Sequence, residues 1–202
     1  MKLYGSLTSP FVRKVRMVLR EKGIAHEFIV EGANDAAGNV ARLNPLHAVP
    51  VLERDDGEVL FDSPLICEYL DSLTPAPRLY PAAGEPRWQA LRWHALGHGM
   101  MEATVTRLIE SRKSEACRDA AVLALHESRI AAALGHAAIR APAAGFLVGG
   151  QLTIADIAMM VALEYVDLRY PHDWRGHHPQ LAGWLASHAT RASVAETRPP
   201  KS

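Results

Sequence analysis

A chain of 202 residues with a formal net charge of zero and a sequence pI of about 7.2 is not expected to form a general nucleic-acid surface, which needs clustered Lys and Arg. Its two cysteines, Cys67 and Cys117, form no CxxC pair, which argues against a disulfide scaffold or a zinc knuckle. The longest uncharged stretch contains Pro142 and three glycines, and the N-terminus lacks the apolar run of a signal peptide, so we expect no membrane span and a cytoplasmic location.

The N-terminal region alternates between strand-like and helix-like segments. We predict strands over residues 2–5, 26–30, 51–53 and 59–61, helices over residues 10–22 and 64–73, and a weak helix at best over residues 35–43. Asp55-Asp56-Gly57 is a hairpin signal between the last two strands, and Gly23 suits the end of the first helix. The order β-α-β-α-β-β-α predicts an α/β sandwich of about 80 residues.

Three proline steps stand out in this region: Ser9-Pro10, Val49-Pro50 and Ser63-Pro64. In the first and last, serine suits a helix N-cap and proline suits the first helical position. The middle step interrupts a strand-like segment. If the three steps converge, two helix N-termini, which favour negative charge, would lie beside a strand edge that can pair with a peptide. A small anionic peptide carrying a thiol would fit such a site.

The second half of the chain has a different character. Residues 74–86 contain four prolines and predict a linker that no helix crosses. Beyond it, Ala- and Leu-rich segments predict helices over roughly residues 87–112, 116–140, 154–169 and 179–188. We therefore expect an α/β domain over residues 1–77 and an all-helical domain over residues 86–202. The basic residues of the first helix are expected to face solvent, and the tail from Glu196 to be frayed or laid over the surface.

Four segments carry a resemblance to a known family. They resemble parts of the cytosolic glutathione S-transferases. Residues 4–15 resemble the first strand and helix of that family, and residues 44–52 resemble its central loop and cis-proline strand. Residues 61–70 resemble the start of its third helix, and residues 146–158 resemble its capping motif. The pattern is most similar to small bacterial members with Ser-Pro-Phe at the first helix. The resemblance implies a thioredoxin-like α/β domain followed by an all-α bundle, a homodimer, and glutathione as co-substrate in a detoxifying reaction.

The resemblance also implies roles for residues at the proline steps. Ser9, or the competing hydroxyl of Thr8, would contact the glutathione sulfur, although Ser9 can also be an N-cap alone. Val49-Pro50 would be a cis bond that lets the Val49 backbone pair with the tripeptide, rather than a trans-proline entering an edge strand. Ser63 would cap the helix begun by Pro64 and receive the γ-glutamyl carboxylate.

Two further polar residues flank this predicted site. Asp62 would meet the ammonium group of the ligand, unless it is only a solvated turn residue. His47 lies where many relatives carry a lysine near the glycyl carboxylate, and a neutral histidine is a weaker partner for an anion.

In the helical half, Thr153 and Asp156 form an S/T-x-x-D cap, which we interpret as structural rather than catalytic. His94, His98 and Glu102 have helical spacing, but no further ligand is evident and we expect no metal. Phe11, His98 and Met101 are candidates for the wall of a co-substrate pocket, although the methionines can equally be core residues.

The leading hypothesis is a glutathione transferase whose bound thiolate attacks a small hydrophobic electrophile. The main alternative is an interaction protein of the same fold, similar to the stringent starvation proteins that bind RNA polymerase. A glutathione-linked reductase or peroxidase is disfavoured, because Ser9 stands where such enzymes carry a cysteine.

Overall fold

The computed structural model describes residues 1–33, 35, 38–170 and 172–200, and its chain divides into two compact units. The first unit comprises Met1–Tyr80 and Arg191–Ser202, and the second comprises Pro81–Thr190. The domains expected from the sequence were residues 1–77 and 86–202. The contacts instead group the last part of the chain with the first unit.

The elements follow the predicted order. The first unit contains β1 (Lys2–Gly5), α1 (Pro10–Lys22), β2 (Glu27–Val30), α2 (Asn39–Leu43), β3 (Val51–Glu53), β4 (Val59–Leu60) and α3 (Ser63–Ser72). The second contains α4 (Gly84–Ser111), a 3-10 turn (Glu115–Cys117), α5 (Ala120–Arg140), α6 (Ile154–Arg169), α7 (Trp174–His177) and α8 (Pro179–Ser187), and α9 (Ala192–Ala195) returns to the first unit. The predicted α/β domain followed by a helical domain is confirmed.

Some boundaries differ from the prediction. The weak helix expected from Asp35 begins at Asn39, and Ala36 and Ala37 lie outside the described residues. Helix α4 begins at Gly84, inside the predicted linker, so that Pro86 lies in its first turn. Proline is tolerated there because the first backbone N–H groups of a helix have no intrahelical partner. No helix in the described part of the chain is long and apolar enough to cross a membrane.

The sheet has the strand order β2-β1-β3-β4, with β1 parallel to β2 and β3 antiparallel to both β1 and β4. Because successive side chains alternate between faces, Tyr4 and Val51 share one face and pack with Val40 of α2. Leu3 and Gly5 share the other face. A Cβ atom at Gly5 would strike the Val12 side chain, so α1 covers that face at close range.

A buried ion pair orders the start of the predicted linker. Lys22 Nζ lies 2.9 Å from Asp71 Oδ1 and also donates to the carbonyls of Thr74 and Pro77 at 2.8 and 2.7 Å. The Asp71 carboxylate in turn accepts from the backbone N–H groups of Leu79 and Tyr80. Since each charge is surrounded by partners, the pair is compatible with burial and fixes the chain that leaves α3.

The expectation that the basic residues of α1 face solvent is wrong for Arg13, Lys14 and Lys22, which are all buried. Helix α1 packs against α3 on one side and against α9 on another, and these contacts cover the long side chains. The Arg13 guanidinium donates to Thr197 Oγ1 and to the Val194 carbonyl at 3.4 Å. The long alkyl stems therefore lie in the packed layer while the charged heads reach acceptors.

The tail expected from Glu196 is exposed at Glu196, Arg198 and Pro200, but Thr197 within it is buried and the segment before it is bonded to α1. Arg191 forms a two-pronged ion pair with Glu21 at 2.6 Å, and Ser193 donates to the same carboxylate. Thr197 is 4% exposed and donates to the Ser193 carbonyl. Lys201 and Ser202 lie outside the described residues.

In the second unit, α6 is the central helix. Every residue from Ile154 to Leu163 is buried, as expected for a helix that is apolar on all sides. Helix α4 packs along it, and Gly97 marks the closest approach, because a Cβ atom there would lie 2.9 Å from the backbone of Ala158.

We expect Gly97→Ala to destabilise the protein by about 1–3 kcal/mol, because the added methyl must displace backbone atoms of α6. Gly99→Ala is the matched control in the same helix, since a Cβ atom at Gly99 meets nothing within 4 Å. That variant should gain about 0.5–1 kcal/mol from helix propensity. Urea unfolding measures both, and shifts of the same sign would contradict the close approach.

Candidate functional site

The sheet register brings the three proline steps to one end of the sheet. Tyr4 pairs with Val51, so the C-terminal end of β1 lies beside the N-terminal end of β3. Leu60 pairs with Leu52, so β4 ends at the same edge. The segments that follow β1, precede β3 and follow β4 therefore start from neighbouring positions. The predicted convergence of Ser9, Val49-Pro50 and Ser63-Pro64 at one sheet end follows from this pairing.

Ser9 is the N-cap of α1, as predicted. Its Oγ accepts the Val12 N–H at 3.4 Å, a long hydrogen bond, and the residue is half-buried. A serine hydroxyl has one donor and two acceptor positions, so Ser9 can cap the helix and still donate its own proton to an anion. Thr8, the competing hydroxyl, is exposed.

The predicted cis bond at Val49-Pro50 is confirmed. The loop before it is held by Asn44, which is 1% exposed. The Asn44 side chain accepts the Leu46 N–H at 2.9 Å and donates to the Ala48 carbonyl at 2.8 Å. Sequence reasoning placed no function on Asn44, although an Asn-Pro pair is a turn signal that could have indicated the clamp.

The same loop exposes the His47 side chain and leaves the backbone of Val49 without hydrogen bonds to the part of the chain that the structure describes. His47 is exposed, has a left-handed backbone conformation with φ of 49°, and donates its N–H to the Asn44 carbonyl. The Val49 N–H and C=O have no hydrogen-bond partner among the described residues. The loop thus presents an open peptide unit beside an exposed imidazole.

At the third step, the expectation that Ser63 is the N-cap is wrong by one residue. Asp62 is the N-cap of α3, and Ser63 is the first residue of the helix. Asp62 is exposed and its side chain makes no capping hydrogen bond, whereas Ser63 is 1% exposed. The Ser63 Oγ has no hydrogen-bond partner among the described residues.

Neither helix that begins at this sheet end carries an acidic residue within its first turn. The partial positive charge of both N-termini is therefore not offset inside the helices, which suits the binding of an anion. A buried hydroxyl without a partner costs about 1–3 kcal/mol, so a bound anion or an ordered water that accepts from Ser63 would remove this cost.

Glu31, which sequence reasoning missed, is a buried carboxylate that follows β2 at the same sheet end. It accepts from the Val40 N–H at 2.6 Å and from the Asn39 side chain at 3.2 Å, and so caps α2 from outside the helix. Burial raises the pKa of Glu31, but these hydrogen bonds outweigh it and hold the pKa below its usual value. The carboxylate is thus committed to structure, and it fixes the helix that leads into the Asn44 loop.

The structure places the remaining candidates as follows. Phe11 is half-buried in the first unit, while His98 and Met101 lie on α4 in the second. Met101 is fully buried and His98 Nε2 lies 3.5 Å from Glu102 Oε1. Within the described residues, no group of three or more potential ligands is arranged to hold a metal ion.

Thr153 and Asp156 form the helix cap at the start of α6 that the sequence predicted. The buried Asp156 carboxylate accepts the Thr153 N–H at 2.8 Å and the Leu147 N–H at 2.7 Å. Burial raises the pKa of Asp156 despite these bonds, and the nearby His188 opposes the increase. The carboxylate therefore holds the loop before α6, and it has the contacts of a folding residue.

Cys67 lies on α3, one helical turn beyond Ser63. It is fully buried, and burial raises the pKa of its thiol to about 12, although the charge of the buried Lys14 opposes this increase. A thiol in this state does not ionise near neutral pH, so Cys67 is unsuited to nucleophilic or disulfide chemistry.

Family comparisons cover both halves of the chain. Residues 3–78 match the model for the glutathione S-transferase N-terminal domain, and residues 120–187 match the model for the C-terminal domain. The uncharacterized GST-like protein YibF of Escherichia coli strain K12 is 36% identical over 207 aligned positions, which cover all of both chains.

Two further comparisons bear on the site. A glutathione S-transferase from Methylobacillus flagellatus, crystallised with glutathione bound, superposes with a TM-score of 0.95 at 36% identity and covers 98% of this chain and 99% of its own. A stringent starvation protein A homolog from Pasteurella multocida is 38% identical over 96 residues, but this match covers only 46% of the chain and 45% of that protein.

The environments of the two cysteines predict unequal reactivity. We expect the exposed Cys117 to react rapidly with 5,5′-dithiobis(2-nitrobenzoate) in the native protein, and Cys67 to react only after unfolding in guanidinium. The Cys117→Ser variant serves as the control and should show no fast-reacting thiol. Rapid labelling of Cys67 in that variant would contradict its assignment as an inert core residue.

Proposed function

Because this chain belongs to the glutathione S-transferase family, we propose that it binds glutathione at the end of the sheet and transfers its thiolate to a small hydrophobic electrophile. In this reaction the sulfur donates an electron pair to an electrophilic carbon, a thioether bond forms, and any leaving group departs with its bonding pair. The protein supplies thiolate stabilisation and positioning. We also retain the bacterial Ser-Pro-Phe subfamily, a cytoplasmic location and a homodimer as parts of the proposal.

The buried, unpartnered hydroxyl of Ser63 is the observation that carries this proposal. It lies in the first turn of α3, where open backbone N–H groups also point out of the helix. A γ-glutamyl carboxylate would accept from both kinds of donor and supply the missing hydrogen bond. The exposed carboxylate of Asp62 would then accept from the ammonium group of the same moiety.

The middle of the tripeptide would pair with Val49. The unpartnered N–H and C=O of this residue offer one donor and one acceptor, which match the backbone of a cysteinyl residue in an extended peptide. The exposed His47 would lie toward the glycyl carboxylate and donate a ring N–H to it. In this orientation the cysteinyl sulfur would lie toward the N-terminus of α1, which follows β1 at the same end of the sheet.

Ionising the thiol of bound glutathione needs more stabilisation than the N-terminus of α1 supplies. A free thiol has a pKa near ~8.5, and lowering it by about two units requires roughly 2.7 kcal/mol. A helix N-terminus supplies ~0.3–1 kcal/mol and a hydrogen bond to a charged group ~1.5–3 kcal/mol, so neither is sufficient by itself in most settings. We assign the hydrogen bond to Ser9, because its long contact to Val12 leaves the hydroxyl proton available.

The electrophile would need an apolar wall. Phe11 follows the α1 N-terminus and is a candidate for this wall, and His98 remains a candidate from α4. Met101 is less suited to direct contact, because its side chain is fully buried in the packed helices.

A non-catalytic interaction protein is the second candidate, favoured by the partial likeness to a stringent starvation protein A homolog. The two functions differ in their demand for glutathione. Calorimetric titration separates them: binding at or below millimolar glutathione supports the transferase proposal, and absence of binding leaves the interaction protein.

We expect Ser63→Ala to weaken glutathione binding by about tenfold or more while leaving the unliganded protein equally or slightly more stable, because no intramolecular hydrogen bond is lost. The matched control is Ser72→Ala at the other end of α3, where the Ser72 hydroxyl donates to the Tyr69 carbonyl. Calorimetry and thermal melts measure the two effects. Unchanged affinity in Ser63→Ala would remove the main support for the site.

We expect Ser9→Ala to raise the thiol pKa of bound glutathione by about one to two units, because a hydrogen bond to the thiolate is removed. The pH dependence of thiolate absorbance in the complex measures this pKa. Thr8→Val is the control and should leave it unchanged. A raised thiol pKa in Thr8→Val, with no change in Ser9→Ala, would assign the sulfur contact to Thr8. Because Ser9→Ala also removes a helix cap, thermal melts check that this variant is folded.

A further inference from the structure

A second concave site lies at the opposite end of α1, which we call the α1–β2 cavity. It has a volume of about 480 Å³ and lies between the last turns of α1, the loop leading into β2 and the C-terminal segment. The residues that matter below are Arg16, Leu19, Arg20, Ile24, Phe28 and Glu196. Its volume is in the range of about 300–1,000 Å³ typical of small-molecule sites.

The cavity is separate from the proposed glutathione site. Arg16 lies seven residues after Ser9, which is about 10 Å along a helix axis. The cavity also borders the N-terminal end of β2, whereas the glutathione site lies at the C-terminal ends of β1 and β4. A ligand in the cavity would therefore not occupy the position of the tripeptide.

Arg16 gives the cavity an uncompensated positive charge. Its guanidinium lies 4.9 Å from the centre of the Phe28 ring, and its hydrogen bonding to the described residues is one long contact of 3.5 Å to the Thr197 carbonyl. Burial and the neighbouring charge of Arg13 lower the pKa of Arg16, which is the direction expected for a cation short of negative partners.

The other charges at the cavity are already paired. Arg20 contacts the Glu196 carboxylate through two nitrogens at 2.8 and 2.9 Å, which neutralises both groups. The carbonyls of Leu19 and Arg20 at the end of α1 accept from Ile24 and Gly23, so they are less available to repel an anion. Among the described residues that line the cavity, Arg16 is thus the cation without a carboxylate partner.

The rest of the lining suits a flat apolar body. Apolar lining comes from Leu19, which is fully buried, and from Ile24 and the Phe28 ring. A guanidinium that rests against an aromatic ring keeps its edge free, and that edge matches the two oxygens of a carboxylate or sulfonate. We propose that the α1–β2 cavity binds a small planar aromatic molecule that bears one such acidic group.

The test uses 2-naphthoate as the acidic probe and 2-naphthalenemethanol as its neutral counterpart, titrated by calorimetry into the full chain. Saturating S-hexylglutathione is present throughout, so that the proposed glutathione and electrophile positions are filled. The acid should bind at least about tenfold more tightly than the alcohol, a difference of about 1.4 kcal/mol. No binding of the acid at millimolar concentration, or equal binding of the two probes, would overturn the proposal.

Two variants locate the binding. Arg16→Gln should weaken 2-naphthoate binding at least about tenfold, since it removes the charge, whereas Arg42→Gln on the exposed face of α2 should not change it. Ala25→Trp keeps every charge and fills the cavity, and it should also reduce binding. Thermal melts establish that each variant is folded, and if Arg16→Gln is not, Ala25→Trp decides. Undiminished binding in a folded variant of either kind would show that the acid binds elsewhere.

Discussion

The double antiparallel pairing of β3 is the constraint on which the site depends. Because β3 runs against both β1 and β4, the end of each neighbour lies beside the start of β3. A shift of one residue in either pairing would turn the side chains of β3 to the opposite faces and move its first residue away from Ser9 or Ser63. The packing of Leu3, Tyr4, Val51 and Leu52 on the two faces therefore also sets the position of groups that belong to loops.

The hydrogen-bonding groups that the site leaves open belong mainly to the backbone and to serine hydroxyls. Helix N-termini and the open peptide unit at Val49 offer partial charges and hydrogen bonds that need no ionised side chain. The nearby carboxylate of Glu31 and the amide of Asn44 are bonded to the backbone instead, where they hold α2 and its following loop. In this arrangement Glu31 and Asn44 give shape, and the hydroxyl groups of Ser9 and Ser63 keep hydrogen-bonding capacity for the proposed anionic ligand.

Local patterns predicted much of the fold and less of the site's surroundings. Helix α1 has its predicted ends, because Ser9, Pro10 and Gly23 are strong local signals. The burial of Lys14 and Arg13 could not be predicted, since a basic side chain faces solvent unless a distant segment covers it, and α3 and α9 are distant in sequence. The unpartnered hydroxyl of Ser63 was equally hidden, because the lack of a partner depends on every neighbour in space.

The return of residues 191–197 to α1 makes the first unit discontinuous in sequence. Arg13 and Glu21 receive their partners from a segment that the ribosome adds only after the whole helical unit has been made. During synthesis the α/β unit therefore lacks these contacts until more than a hundred further residues have been added, as the bounds of the second unit require. Its packing is completed only by residues 191–197, and a fragment ending near Tyr80 would lack the partners that this segment gives to Arg13 and Glu21.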